Sequence, residues 1–507
     1  MMRCSLYALH AGVCAAVLAH TLLSVPHNCC RLLVDAGLPN VIVKNSTADS
    51  SYQQEIQSYW SVTARLEPNC FVQPENTEQV SLILKTLNDE SRCEFAVRSG
   101  GHSSIRGWNN IEDGVTIDLS RLNSTLYDRQ SNLLSLGPGI HWQDVYEYAE
   151  SQGIMVPGAR LGAVGVGGLL CGGGLSYHMH EKGLAMDSVR KYEAVLANGT
   201  IVDACQEANA DLWLALKGSQ CTFAIVTRFY VEAFPGPKLW GGVLSYANTA
   251  ETTSKFIMAL KKFTDNVENY LPGTAWVYWG HNGADPEPKD TIWTGLVDTS
   301  GAADSSTYED FASIPGKLIG ELGPTKTSTL TGFSRPGNYC NIWITCSFIN
   351  NEGLMHKAVR LHREMVNAYG MKFGLDSDYT TQVLFQPLPV VVGRASARMG
   401  GNITPLSDQE VDGQILYGSI AVRDAAQESF AREVLMDLKR NFCDALTDEE
   451  RVDYEYINYA DGTQNPMERY GKANIDRLLA AEQKYDPTLV FRRRVPGGFN
   501  IPPSPPK

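Results

Sequence analysis

Apolar residues recur along this chain at helical and strand periods, and the switches between the two periods mark its elements. Within "PENTEQVSLILKTLNDE", Val80, Ile83, Leu84 and Leu87 fall on one helical face. Asn76, with Gln79 three residues on, resembles a capping box, although Ser or Thr is the usual cap. Trp142, Val145, Tyr146 and Ala149 form a second stripe, which Gly153 can close. "GVTIDLS" alternates Val115, Ile117 and Leu119, the pattern of a half-buried strand. "YEAVLANGTIVDA" reads as two strands around Asn198-Gly199, a hairpin signal. "DLWLALKG" then predicts a short helix and "FAIVTRFYVEAF" a strand. Residues 66–236 are therefore expected to form an α+β region, built around glycine-rich loops rather than βαβ crossovers.

Residues 237–450 change character. "GGVLSYAN", "TAWVYWGHN", "TIWTGLVDT", "NIWITCSFI" and "GQILYGSIAVRD" are aromatic-rich strand patterns, and "ETTSKFIMALKKFTDNV" and "EGLMHKAVRLHREMVNAYG" are helical. An antiparallel sheet covered by helices on one face accounts for this order. Residues 451–500 read as a strand, a polar loop and a helix that returns to the first domain, whose N-terminal segment is 26–65. The proline-rich residues 501–507 are an unpacked tail. Residues 1–25 carry Arg3 and the apolar "LYALHAGVCAAVLAHTLLSV", which predicts a cleaved signal peptide. An uncleaved membrane anchor is the alternative.

Composition narrows the class. With 507 residues, 43% hydrophobic and 20% charged, the chain suits a soluble protein of two or three domains. A net charge of −13 argues against a nucleic-acid partner. Sequons at Asn45, Asn123, Asn198 and Asn402 agree with secretion. Beyond the leader, the scattered cysteines make neither a dense disulfide scaffold nor a zinc pattern, and no metal is expected. Cys29, Cys30, Cys70 and Cys93 cluster and are expected to pair; the others, Cys171 included, read as buried thiols.

The candidate chemistry lies in two glycine-rich stretches. "VGVGGLLCGGG" places Gly165, Gly167, Gly168, Gly172, Gly173 and Gly174 close together. It is not a Rossmann fingerprint, because Leu170 stands where the third glycine belongs. Walker spacing is absent, and "GLSYH" ends in His178 where a nucleophile elbow needs glycine. His178 and His180 lack further metal ligands around them. The loop is threaded with Val164, Val166, Leu169 and Leu170, unlike a polar linker, so its bare backbone fits close packing on a buried flat ligand with phosphate oxygens. The other stretch, "VRSGGHS", puts His102 directly after a Gly-Gly turn.

Together with "GPGIHWQDVY", "GLAMDSV", "YINYADGTQNP" and the closing "YDPTLVF…PGGF", these stretches resemble FAD-linked oxidoreductases of the vanillyl-alcohol oxidase type, and among them the fungal members of the berberine-bridge-enzyme-like branch. The resemblance implies an α+β fold: a two-subdomain FAD-binding domain of the PCMH type plus an antiparallel-sheet substrate domain covered by helices. It implies FAD bonded through a ring nitrogen of His102 to the 8-methyl carbon, with the backbone of Arg98, Ser99, Gly100, Gly101 and Ser103 around the pyrophosphate. Further cofactor contacts are implied at Gly158, Val164, Gly165, Gly167, Gly168, Gly172, Gly173, Asp187, Val189, Val226 and Asn458. Many relatives carry a second, cysteinyl bond; Leu161 stands at that position, so a single histidyl link is expected, with Leu169, Leu175 and the loop near Arg160 lining the pocket.

The chemistry that the resemblance implies is hydride transfer to flavin, loss of a proton to a base, and reoxidation by dioxygen to give hydrogen peroxide. Tyr456 and Tyr459 are the candidate bases, Tyr456 ahead, and Gln386 and Arg398 are expected to point inward. Trp240, Trp276, Tyr278, Trp279, Trp293 and Trp343 belong to the core or line a pocket that would suit a flat apolar molecule and a sugar equally. The expected substrate is an alcohol, phenol or amine of a secondary-metabolite pathway. An oligosaccharide oxidase and a redox-neutral cyclase on a flavin scaffold are the alternatives. The expected protein is a monomer, secreted or within the secretory pathway, without a stable membrane anchor.

Overall fold

The computed structural model describes residues 27–44, 50–89, 93–220, 222–236, 238–303, 305–332 and 337–503. The leader, Asn45 and residues 504–507 lie outside them.

The first sheet runs in the order Val41–Val43, Cys70–Val72, Val115–Asp118, Phe95–Arg98. Cys70–Val72 and Phe95–Arg98 both pair parallel with Val115–Asp118, and the helix Thr77–Asp89 joins Cys70–Val72 to Phe95–Arg98. A parallel crossover is thus present where only glycine loops were expected. Val115–Asp118 is buried at every position rather than alternately. One of its faces meets Val80, Ile83 and Leu84 of the helix, and the same core takes in Val195 and Ile225 of the next sheet; central parallel strands are covered on both faces. The helix start is the predicted one in altered form. Asn76 Oδ1 accepts from Gln79 N at 2.9 Å, and the Gln79 side chain accepts from Glu75 N at 2.8 Å instead of from the cap itself.

Disulfides Cys29–Cys93 and Cys30–Cys70 tie the N-terminal helix His27–Asp35 to this sheet. The remaining cysteines are not all thiols as expected: Cys346 pairs with Cys443, and Cys171 is disulfide-bonded. Cys205 and Cys340 are free.

The second sheet is antiparallel, in the order Thr125–Asp128, Leu133–Leu136, Ala224–Glu232, Val189–Leu196, Ile201–Cys205. The expected hairpin is there, turning through Gly199 at φ +79°.

The large sheet is antiparallel throughout and follows the order Lys317–Ile319, Leu239–Ala247, Asp290–Asp298, Gly273–Asn282, Tyr379–Leu388, Gly413–Val422, Cys340–Ile349, with Gly323–Thr325 also on Leu239–Ala247. Helices Ala250–Asn266, Glu352–Phe373 and Glu428–Phe442 cover one face. Phe256, Leu260, Met355, Tyr369 and Leu435 pack there on Val277, Trp279, Val383 and Phe385. The aromatics divide by strand alternation: Trp279 and Trp240 join the helix-side core, while Trp276, Tyr278, Trp293 and Trp343 face a cavity on the opposite side.

The C-terminal segment packs on elements far earlier in the chain. Tyr470, Ile475, Leu478 and Tyr485 pack with Leu212, Trp213 and Phe229. The strand expected over "YEYINY" is instead a tight turn at Ile457–Tyr459. Of the sequons, Asn123 and Asn198 are exposed, whereas Asn402 is half-buried and donates to buried Asp187 at 2.8 Å. Asn402 therefore serves the interior and is a poor glycan acceptor.

His178 and His180 are core residues. His178 sits edge-on to Phe234, and His180 Nδ1 is 2.9 Å from Gly273 O. Burial pushes His178 down to about 3, His180 to about 4 and, under the helix layer, His362 to about 3. Between those values and the ordinary 6.5 the unfolded chain binds protons that the folded chain refuses. This contribution to stability is complete above the unfolded value and is lost as the pH falls. Each histidine is expected to lower unfolding free energy by about 2 kcal/mol between pH 7 and pH 5. Denaturant midpoints at the two pH values measure it, and replacing His362 by Gln should flatten the dependence.

Candidate active site

The strand Phe95–Arg98 delivers the Gly-Gly turn to its carboxyl end, the usual position for a ligand beside parallel strands. Gly101 has φ +66°, which favours glycine. Gly100 and Gly165 bring the two glycine stretches into backbone contact: a Cβ on Gly100 would stand 2.5 Å from Gly165 Cα. Ser99 Oγ donates to Pro138 O and accepts from Gly167 N at 3.1 Å, so one hydroxyl joins both loops.

Beyond these loops lies a cavity of about 700 Å³. Ser99, Gly100, Gly101, His102, Ser103, Val164, Gly165, Gly167, Gly168 and Val226 line one part of it; the aromatic face of the large sheet lines another, and Tyr456, Asn458 and Tyr459 also belong to its wall. Leu161, Leu169, Leu175 and Arg160 are on the wall too, as expected.

Several residues expected at the cofactor lie off the cavity. The Arg98 side chain turns under Tyr59, 4.1 Å from its ring, and pairs with Glu55 at 3.2 Å. Gly158 packs on Trp142, whose ring would be 2.1 Å from an added Cβ. Gly172 and Gly173 make room for Asn458 and Tyr456, whose side chains an added Cβ would meet at 2.1 Å and 2.9 Å. Asp187 is fully buried and accepts from Leu184 N at 2.7 Å and from Ser396 Oγ. Val189 is core, its carbonyl accepting from Trp213 Nε1. Arg398 is exposed at its helix end and does not point inward.

The tyrosine pair separates into two roles. Tyr456 Oη accepts from Gly174 N at 3.0 Å, Leu175 N at 3.3 Å and Asn458 Nδ2 at 3.1 Å. Burial pushes its phenol up to about 12, with Tyr459 adding to the rise. Tyr459 Oη instead accepts from Arg160 Nη2 at 2.9 Å, and Arg160 Nη1 donates to Gln386 Oε1. A guanidinium bonds most strongly to an anionic oxygen, so this arrangement can hold a hydroxyl that gives up or receives a proton.

Sequence reading missed Trp60. Its ring stacks on His102 at 4.4 Å and 20°, and on Trp343 at 5.7 Å and 22°. Trp60 N also donates to Gly101 O. No motif surrounds it, and its partners come from distant segments.

Asn109 Oδ1, Thr222 Oγ1 and Trp343 Nε1 are buried without a partner among the described residues, and all three residues line the cavity. An unpaired buried polar atom costs about 1–3 kcal/mol, so the cavity is built for a polar guest. Bare glycine backbone beside these atoms fits a dinucleotide with a diphosphate.

A family model described as an FAD binding domain matches residues 68–204, and one described as berberine and berberine like matches residues 455–495. An FAD-dependent monooxygenase of Aspergillus calidoustus is 34% identical over 93% of this chain and 90% of its own. A bifunctional solanapyrone synthase of Alternaria solani is 30% identical over 94% and 89%. A variant of berberine bridge enzyme in complex with (S)-reticuline shares the fold, with a TM-score of 0.74 at 17% identity, covering 94% of this chain and 99% of its own. Fold, site and matches define a flavin-dependent oxidoreductase with a PCMH-type FAD domain. The chain belongs to the berberine-bridge-enzyme-like family of FAD-linked oxidoreductases.

Proposed function

We propose that this protein is a secreted oxidase that removes a hydride and a proton from a small alcohol, phenol or amine of a secondary-metabolite pathway. His102 carries the cofactor by one bond from a ring nitrogen to the flavin 8-methyl carbon. The observation that carries the reading is one cavity lined both by His102 on its Gly-Gly turn and by the Arg160–Tyr459 pair. FAD, when held there, would supply a two-electron acceptor that dioxygen could reoxidise, with hydrogen peroxide as the by-product.

The chain's own residues do the rest. Residues 99–103 and the facing glycine loop offer backbone to the diphosphate. Trp60 holds the His102 imidazole in plane. Leu161 leaves the second attachment position without a nucleophile. Tyr459 takes the substrate proton, Arg160 holds its oxygen, and Gln386 fixes the guanidinium. Tyr456 stays a structural anchor, because main-chain donors occupy its oxygen. Secretion is supported by the disulfides and exposed sequons; no helix among the described residues is long and apolar enough to cross a membrane.

Acid denaturation of the purified protein tests the attachment. The wild-type pellet should be yellow and the His102→Ala pellet white, while native His102→Ala still takes up FAD. Yellow in both pellets, or in neither, overturns single attachment at His102. The name monooxygenase borne by a relative favours a second reading, in which oxygen enters the product. Under labelled dioxygen the oxidase reading sends the label to peroxide alone, and the second reading sends it to product.

A further inference from the structure

Resting on flavin attachment at His102, we infer that residues 59–63 form a clasp that makes the cofactor bond depend on the large sheet, with Trp60 as its positioning residue. A ring nitrogen attacks through a lone pair in the plane of its ring, so the plane of the imidazole decides whether the bond can form. His102 is only half-buried on its turn. The Trp60 indole meets its ring at 4.4 Å, inclined by 20°. Stacking of this kind sets the imidazole plane and leaves the ring edge, where both nitrogens lie, for other partners.

One edge of the clasp is fastened to the histidine turn. Trp60 N donates to Gly101 O at 3.2 Å. Tyr59 Oη donates to Asn109 O at 3.0 Å, and the Arg98 guanidinium lies 4.1 Å from the Tyr59 ring. Thr63 Oγ1 donates to Ser104 O. The other edge belongs to the large sheet. Val62 N and Ser61 Oγ both donate to Tyr339 O, at 3.0 Å and 3.2 Å, and Ser61 Oγ accepts from Asn341 N at 3.2 Å. Trp60 itself also stacks on Trp343 of the strand Cys340–Ile349, at 5.7 Å and 22°. Tyr59 and Ser61, which flank Trp60, are fully buried, so the clasp cannot slide without leaving buried polar groups unpaired.

The bond replaces one C–H of the flavin 8-methyl group and one N–H of the imidazole by a C–N bond. Two protons and two electrons are released, and dioxygen takes both pairs as hydrogen peroxide. A nucleophile in such a step gains from being held in place, since misplacement by about 1 Å costs about 10²-fold. Trp60 takes its place from Tyr339 and Trp343 as well as from Gly101. Attachment therefore follows docking of the large sheet, and a chain without that docking would hold FAD without bonding it.

The flavin content of the full-length protein, freshly purified, loaded with FAD and desalted, tests the clasp. After acid precipitation, flavin in the pellet is bonded and flavin in the supernatant was only bound. Trp60→Ala should keep the total flavin per chain while its pellet holds about a tenth of the wild-type amount or less. Trp60→Phe, which restores a flat ring, should return the pellet to within about twofold of wild type. A merely structural role would lower pellet and total together. Trp343→Leu should lower the pellet about threefold by itself and add nothing to Trp60→Ala, because it acts through Trp60. If thermal melting shows that Trp60→Ala does not fold, Trp60→Leu serves with the same threshold. A folded variant without the ring that bonds flavin as wild type does, total flavin that falls in step with the pellet, or a Trp343→Leu loss that adds in full to Trp60→Ala overturns the clasp. A white wild-type pellet or a yellow His102→Ala pellet overturns attachment at His102 and the clasp together. A yellow Trp60→Ala pellet beside a white His102→Ala pellet overturns the clasp alone.

Discussion

Replacing Tyr459 by phenylalanine is expected to slow anaerobic flavin reduction by about 10²–10⁴-fold, the usual worth of a positioned general base. The change removes one hydroxyl and leaves the ring on Tyr417 and Tyr456, 4.7 Å from each. The fold should survive, and Arg160 should keep Gln386 as a partner. Stopped-flow bleaching with any substrate that reduces the wild type measures the effect. Arg160→Lys should lose much of the same rate, because an ammonium cannot make the forked contact to both Tyr459 and Gln386. Tyr456→Phe should behave differently. It strips the acceptor from Gly174 N and Leu175 N and should cost about 1–3 kcal/mol of stability. Should Tyr456→Phe abolish reduction while Tyr459→Phe stays within about threefold of wild type, the proton goes to Tyr456 and the assignment falls.

Asp187→Ala is expected to destabilise the protein by about 1–3 kcal/mol for each buried donor left without its acceptor. The Asp187 carboxylate receives Leu184 N, Ser396 Oγ and Asn402 Nδ2. Lys217 Nζ lies 3.4 Å from the Asp187 carbonyl and 3.6 Å from the Trp213 ring centroid, fully buried. Burial raises the Asp187 carboxyl and pushes Lys217 down to about 7, each against the pull of the other. Ser396 and Asn402 belong to the substrate half, while Met186 N donates to Gly173 O in the glycine loop. The carboxylate therefore ties the flavin side to the substrate side without lining the cavity. Thermal melts of Asp187→Ala and Asp187→Asn measure the tie, with Asn retaining part of the hydrogen bonding. A melting temperature within about 1 °C of wild type for the alanine variant would show that the tie contributes little.

Local features were legible before folding. The helix Thr77–Asp89 announces itself by four apolar residues at one spacing and a cap three residues wide. The hairpin through Gly199 needs only two neighbouring residues to turn. The Gly-Gly-His turn, the glycine loop and the "YINY" stretch are contiguous, and so is the resemblance they carry. The one-sided helical cover of the large sheet follows from strands and helices whose periods are visible in sequence. Even Glu428–Phe442, which was not anticipated, has apolar residues at helical spacing.

What the chain order hides is everything set by contact between distant segments. Arg160 meets Gln386 across 226 residues and Tyr459 across 299. Trp60 reaches His102 and Trp343 only because the N-terminal segment, the flavin loop and the large sheet converge. Gly158, Gly172 and Gly173, each closed in by a neighbouring side chain, show the same limit: a glycine that admits a ligand and one that admits a neighbouring side chain look alike in sequence. Hydrophobic period, turn chemistry and motif order, being short-range, determined the class of fold and its cofactor. Which tyrosine oxygen meets main-chain donors and which meets Arg160, and which aromatics line the cavity, was decided by tertiary packing, since those outcomes depend on what approaches from distant segments of the chain.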